Sequence, residues 1–415
     1  MEEVKILGMR AESGRWVYVI FGLIINVCLG AIYAFSIFRP PLEKLWGITA
    51  TQSGLPFMIF LAMFAIAMPF AGNLIQKWGP RTTMILGGIL VGIGWIAASF
   101  SPNINILTLL YGVIGGIGVG VVYGAPIATS AKWFPDRAGL AIGLTVGGFG
   151  LSALVTGPII KQLIGTVGPL NTFLYLGIAF LIILILLSLP YKFPPEGWKP
   201  EGFEIKTAQS SSTATIAQIE LDRNEMIKTG AFWALWLTYT IGCLAGLMAI
   251  GISAPAGREV GLTPEIAAFT VSLYAIFNFL GRPLFGALTD KIKPKAAAIL
   301  SFLIIGVASL LIYTVREKLI FIIGFCLLWL NLGGWLAIAP TATKIFFGTK
   351  FYGKNYGLVF TAYGAGAIAG VLLSGRIKDI TGSYFAVFPI VAALCLLGII
   401  IAVLGLKSVK KAEVT

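Results

Sequence analysis

The chain has 415 residues, 58% of them hydrophobic and only 11% charged, with a mean hydropathy of +0.93. An ordinary soluble domain carries about 25% charged residues, so this composition excludes one and points to a polytopic membrane protein. The net charge of +13 is then a matter of where the basic residues lie, and no nucleic-acid partner is expected.

Apolar stretches of about 20 residues, each enough to cross a hydrocarbon core about 30 Å thick, are predicted at 17–38, 52–75, 82–101, 105–129, 138–162 and 171–190. Six more follow at 230–253, 264–289, 296–315, 320–344, 355–377 and 383–406. The first follows Lys5, Arg10 and Arg15 and so mimics a signal peptide, but it is too long and leads straight into a bundle; it is expected to stay uncleaved. Residues 1–190 form one six-helix half and 230–415 the other. Between them, 191–229 is a polar linker with a Ser210, Ser211, Ser212 run, read as a flexible tether on the cytoplasmic surface. With both termini cytoplasmic, 21 of the 30 Lys and Arg residues fall on cytoplasmic segments, eight on outside loops, and Arg282 remains. That excess follows the positive-inside rule and describes a multi-pass protein of the cell (cytoplasmic) membrane. The expected fold is an all-α integral membrane protein with twelve transmembrane helices in two pseudo-symmetric halves.

The two halves overlay at a constant offset of 214 residues, the mark of internal duplication. Gly72 pairs with Gly286, Lys77 with Lys291, Pro80 with Pro294, Arg81 with Lys295, Pro126 with Pro340, Thr129 with Thr343, Gly150 with Gly364 and Gly168 with Gly382. Parallel six-helix halves with a site between them near the midplane resemble the major facilitator plan. The turns GNLIQKWGPR (Gly72 to Arg81) and GALTDKIKPK (Gly286 to Lys295) resemble its paired gate motif. In that resemblance Gly72 and Gly286 permit close helix approach, while Lys77, Arg81, Asp290 and Lys291 latch helix ends. The first copy has Gln76 where the family has Asp.

Glycines recur every four residues on the fourth helix (Gly112, Gly116, Gly120, Gly124) and the fifth (Gly139, Gly143, Gly147), predicting smooth faces for close packing in lipid. The crowding at 115–120 follows no strand, so it is not read as a nucleotide-binding loop. Cys28, Cys243, Cys326 and Cys395 lie in spans without metal-ligand spacing and are expected as packing residues. No cofactor or metal is expected.

Arg282 is the one charged side chain placed deep within a predicted span, Lys161, Glu265, Lys344 and Arg376 standing within one residue of a span's end. It lies eight residues before Asp290, about 12 Å deeper along a helix. A charge in hydrocarbon costs roughly 2.5–3.5 kcal/mol on insertion scales, and such residues usually serve a substrate or ion path. The competing reading is an arginine that holds helix ends or carbonyls. Asn278 shares its helix face, while Gly281 and Pro283 are expected to loosen the turn and free a carbonyl at Phe279. Other polar or aromatic groups in the spans are Asn26, Tyr33, Tyr123, Tyr239, Tyr274, Asn331, Trp335 and Tyr363, each also open to a packing role.

The segments GAIYAFSIFRPPLEKLWG (Gly30 to Gly47), GVGVVYGAPIATSAKWFPDRAGLAIGL (Gly118 to Leu144), NFLGRPLFGALTD (Asn278 to Asp290) and KNYGLVFTAYGAGAIAG (Lys354 to Gly370) resemble the oxalate:formate antiporter family and its monocarboxylate transporter relatives. The resemblance covers essentially the whole chain. It implies that Arg282 grips a carboxylate, that Tyr33 and Tyr123 bond to it from the first half, and that Asn278, Trp335, Phe360 and Tyr363 complete the cavity. Oxalate exchangers carry a second cation, a Lys, where this chain has Tyr363, which favours a monoanion such as formate, lactate or pyruvate over oxalate. Animal monocarboxylate transporters have an Asp where this chain has Asn278.

Of the 17 Asp and Glu residues only Glu265, at the very start of the 264–289 stretch, falls within a predicted span, and there is no His, so the usual intramembrane proton carriers are absent at depth. Anion exchange is expected if only an anion-neutralised Arg282 can be occluded; a co-transported proton stays open. The expectation is a monomeric secondary transporter of small carboxylates in a lipid bilayer. Its alternatives are an oxalate:formate antiporter and, from another class, a transporter-like anion sensor. A membrane enzyme is disfavoured because no nucleophile, metal ligands or paired carboxylates lie at depth.

Overall fold

The computed structural model describes residues 4–134, 136, 138–195, 198–200, 220–348 and 351–407. Among them, nine unbroken helical segments are long and apolar enough to cross a membrane. Three of these, Ala50–Ala98, Ala138–Ser188 and Pro264–Val315, each contain one residue with left-handed φ: Gly79 (78°), Gly168 (83°) and Lys293 (72°). A helix cannot continue through that conformation, and a straight 49-residue helix would run about 74 Å, far beyond the bilayer core. Dividing the three gives twelve spans. They are α1 (Ala11–Ile37), α2 (50–78), α3 (80–98), α4 (Ile104–Trp133), α5 (138–167), α6 (169–188), α7 (Gly230–Glu259), α8 (264–292), α9 (294–315), α10 (Lys318–Phe347), α11 (Lys354–Thr381) and α12 (Phe385–Gly405). Most of the polar linker, including Ser210 to Ser212, lies outside the described residues.

The ends differ from expectation most at α7, which runs on to Glu259, and at α1, which begins at Ala11 and so takes Arg15 into the helix. The charge is tolerated because Arg15 forks onto Asp136, with Nη1 2.5 Å from Oδ1 and Nη2 2.9 Å from Oδ2. Arg39, expected on an outside loop, is likewise buried, at 1% exposure. The main chain stays helical through Gly281 and Pro283, the only break in that segment being at Lys293, so the expected loosening there does not occur. Gly281 instead lets α8 lie against the carbonyl of Leu330 on α10, and Gly333 of α10 meets the carbonyl of Asn278.

The duplication is visible in local geometry. Thr49 and Thr263 stand 214 apart and cap α2 and α8 alike, accepting from the Gln52 and Ile266 amides. The breaks at Gly79 and Lys293 are also 214 apart. A lysine at φ 72°, ψ 157° sits in a region that glycine alone occupies without strain, at a cost of about 1–3 kcal/mol.

Gly112, Gly116 and Gly120 form the expected close face. A Cβ at Gly112 would stand 3.2 Å from the Pro56 carbonyl, one at Gly120 2.6 Å from Ala67 Cβ, and Gly116 abuts the Phe60 carbonyl, all on α2. Gly124 has only Ile75 nearby, at 3.5 Å. The fifth-helix face is not continuous: Gly147 meets Phe279 of α8, Gly143 has open space around it, and Gly139 lies outside the residues whose side chains are described. The four cysteines are buried and free. Between the first six helices and the last six, contact is made by α2 with α11, α5 with α8 and α1 with α7.

Replacing Lys293 with Gly removes the strained side chain and is expected to stabilise the protein by about 1 kcal/mol. A thermal melt in detergent checks this; an unchanged or lower Tm would contradict the strain assigned to that turn.

Candidate functional site

Arg282 points from α8 into the seam with α5. Its Nη1 donates to the Val146 carbonyl at 2.6 Å, Nη2 reaches Asn278 Oδ1 at 3.5 Å, and buried Nε has no partner. Asn278 is fully buried one turn earlier and is held by its own amide, which donates to the Trp329 carbonyl of α10 at 3.1 Å. The close approach depends on two glycines of α5. A Cβ at Gly147 would stand 2.6 Å from the Phe279 ring, and one at Gly150 3.0 Å from Asn278 Oδ1 and 3.4 Å from Arg282 Cζ. Among the described residues, Arg282 makes no ion pair. A guanidinium cannot shed its proton in a usable pH range, so the charge persists with only a peptide dipole and an amide to stabilise it.

The guanidinium lines a small pocket of about 10 Å³ with Tyr33, Phe64, Tyr123, Phe149, Leu336, Phe360 and Tyr363. The hydroxyls of Tyr33 on α1 and Tyr363 on α11 share a 2.8 Å hydrogen bond across the seam. Phe360 stacks on Tyr363 with centroids 5.0 Å apart, and Tyr33 meets Phe149 edge-on, also at 5.0 Å. The volume suits about one water molecule. An organic anion fits only if Arg282 leaves Val146 or the tyrosine pair parts.

Tyr123 and Leu336 also line a larger vestibule of about 660 Å³. Its walls come from the last turns of α2 and α4 and the first turn of α11, including Gln76, Lys132, Tyr352 and Tyr356. It therefore opens on the face where α1 begins. There Lys77, Arg81, Asp290 and Lys291 are exposed and, among the described residues, form no ion pairs. Gly72 has no neighbour within 4 Å, and Gly286 would meet only Ala337 Cβ at 3.9 Å.

The opposite face is sealed. Arg39 donates to Ser53 Oγ (3.0 Å) and the Ala50 carbonyl (2.6 Å) beside it, and across the seam to the Gly251 carbonyl (2.7 Å) and Tyr384 Oη (3.0 Å). Burial pushes the Tyr384 phenol up to about 12, so it accepts as a neutral group. Asp379 of α11 accepts from the Ala50 amide at 3.1 Å and from Thr51, capping α2 from the other side of the seam. Lys161 pairs with Glu265 between α5 and α8 at 3.4 Å.

Of the residues proposed from sequence, Arg282, Tyr33, Tyr123, Phe360 and Tyr363 come together around the pocket, with Asn278 behind the guanidinium. Trp335 does not reach it. Its ring is fully buried against Gly242 and stacks on Tyr239 at 6.1 Å. Adjacent helical positions point about 100° apart, and the neighbouring Leu336 takes the cavity-facing direction. Trp329 is the tryptophan that touches this cluster, edge-on to Tyr33 at 6.1 Å. Sequence reasoning missed Phe64, Phe149, Leu336 and Arg39. The repeat carried a signal for two of them, since Phe64 stands 214 before Asn278 and Phe149 stands 214 before Tyr363.

The sequence profile of the Major Facilitator Superfamily matches residues 19–343 and 235–414. The chain is 28% identical over 361 residues to the oxalate:formate antiporter of Oxalobacter formigenes, covering 86% of this chain and 84% of that protein. It is 26% identical over 379 residues to monocarboxylate transporter 13 of Bos taurus, covering 89% and 84%. Among solved structures, a bacterial homologue of the human lysosomal transporter Spinster, in an inward-facing and unoccupied conformation, superposes with a TM-score of 0.67 at 16% identity, covering 94% of this chain and 95% of that one. At that identity the likeness concerns the fold.

Replacing Arg39 with Ala removes two donors that cross the sealed face and leaves the Gly251 carbonyl unmatched. A cysteine placed at Val371, which packs on Gly54 inside the seal, should then react with a soluble maleimide about tenfold faster, matching a loss of about 1.4 kcal/mol from the closed state. Unaltered labelling would remove Arg39 from the seal.

Proposed function

The chain belongs to the major facilitator superfamily, and from that premise we propose that it carries small organic monocarboxylates, of the formate, lactate or pyruvate class, by alternating access. It is an organic-anion transporter and not an enzyme. The observation that carries the finer reading is the unpaired guanidinium of Arg282 in an aromatic pocket built from both sets of helices. An incoming carboxylate displaces the Val146 carbonyl and takes the guanidinium fork, which binds carboxylates in bidentate fashion. The Tyr33 and Tyr363 hydroxyls then turn from each other toward the anion. Asn278 acts as the positioning residue, and Tyr123, at the boundary of pocket and vestibule, meets the anion on its way in.

Residues 1–190 and 230–415 act as the rocking halves, joined by the 191–229 linker. The basic excess supports a cytoplasmic vestibule face, on which reading this conformation is inward-facing. In the opposite conformation the Arg39 seal parts, and Gly72, Lys77 and Arg81 with Gly286, Asp290 and Lys291 close the vestibule. In the empty protein Arg282 has only neutral acceptors, which supports exchange of one anion for another; proton symport remains compatible if the proton travels with the substrate.

A second reading, oxalate:formate exchange, is favoured by the relative from Oxalobacter formigenes. Against it stands the charge of the pocket. Arg282 is the one cation among its lining residues, so a dianion would bring an uncompensated charge into a low-dielectric site.

Counterflow in proteoliposomes, with the pH gradient collapsed and formate, lactate, pyruvate, acetate or oxalate loaded, tests this. Monocarboxylate uptake that requires internal anion is expected; preferential oxalate exchange would overturn the monoanion assignment. Arg282→Ala should lose essentially all uptake while keeping its melting behaviour, and retained uptake would sink the site. Tyr363→Phe should raise KM about 3- to 10-fold, the effect of one lost hydrogen bond, with an unaltered KM excluding that hydroxyl from substrate contact.

A further inference from the structure

Lys132 stands in the last turn of α4, nine residues beyond Tyr123 and so about 14 Å from it along the helix. Among the described side chains that line the vestibule it is the one cation, and none of them is a carboxylate. Asp136, four residues on and the acidic residue nearest in sequence, is gripped through both oxygens by Arg15. Lys132 makes no ion pair among the described residues; its ammonium lies 3.7 Å from the centroid of the Phe193 ring. A cation held by an aromatic face keeps its full charge, whereas one held by a carboxylate is neutralised. A single charge at the mouth of an apolar, low-dielectric funnel concentrates ions of the opposite sign there.

We propose that Lys132 is a first-contact site for small carboxylates, which gathers them at the vestibule mouth and passes them to Tyr123 and Arg282. The inference rests on the transport reading above and adds a second anion site to it. The Arg15 and Asp136 pair has a part in it, because it withholds the carboxylate that Lys132 would otherwise bind. The site serves one face of the membrane only, since the far end of the pathway is closed by the Arg39 seal and shares none of these residues.

The test uses the full chain in oriented proteoliposomes with formate as the probe. Lys132→Gln is expected to raise KM about 3- to 10-fold for formate offered at the vestibule face, within the range of electrostatic steering. It should also flatten the dependence of that KM on ionic strength. The maximal rate and the KM at the opposite face should stay within about twofold, and Lys132→Arg should restore the parent behaviour, which a merely structural role would not produce. An unchanged KM and salt dependence at the vestibule face, or an equal rise at both faces, overturns the site. If the parent exchanges no carboxylate at all, the transport reading itself has failed; Arg282-dependent exchange with a silent Lys132→Gln removes Lys132 alone.

Discussion

The hydrogen bond from Arg282 to the Val146 carbonyl joins the two sets of helices by a charge that has no counter-charge. Gly147 and Gly150 clear the space on α5, Asn278 lies behind the guanidinium, and aromatic rings line the pocket beside it. A carboxylate on a neighbouring helix would have neutralised the arginine. A peptide carbonyl is a weaker acceptor, and a ligand that carries a full charge can displace it.

The duplicated architecture makes the asymmetry of the pocket informative. Phe64 and Asn278 occupy equivalent positions, as do Phe149 and Tyr363, and as do Val146 and Phe360, each pair 214 residues apart. In the first two pairs the first copy supplies an aromatic ring and the second a polar group. Arg282 likewise has Met68 as its counterpart. Polar chemistry has thus concentrated in the second copy, while the first keeps apolar walls, with Tyr33 and Tyr123 as its hydroxyl contributions. A symmetric scaffold thereby places its buried cation off-centre, against the C-terminal helices.

The two faces of the seam differ in their physics. The sealed face relies on buried hydrogen bonds that bridge the helix sets, from Arg39 to Gly251 and Tyr384 and from the α2 amides to Asp379. The vestibule face has charged residues at equivalent repeat positions that stand apart in this conformation, with the strained turn at Lys293 next to them. Exposed charges in water cost little to separate, whereas buried donors lose their acceptors when the far seal opens. The far seal is accordingly the firmer of the two.

Legible in the sequence alone were the spans and the duplication, and Arg282 stood out as a candidate, because each is written in local features: runs of apolar residues, a fixed offset, and a charge where lipid solvation is costly. Only the tertiary structure decided which residues share the pocket. Trp335 and Leu336 are neighbours in sequence, and nothing local says which of the two faces the cavity; the rotation of α10 against α7 and α8 does. Arg39 was invisible for a related reason. Its partners across the seam, the Gly251 carbonyl and the Tyr384 hydroxyl, come from residues more than 200 positions away, and a main-chain acceptor leaves no mark on sequence. The same holds for the Val146 carbonyl and for the Arg15 and Asp136 pair. Polar satisfaction at long range is a property of the folded chain, since any residue can offer a carbonyl and only packing chooses which one is used.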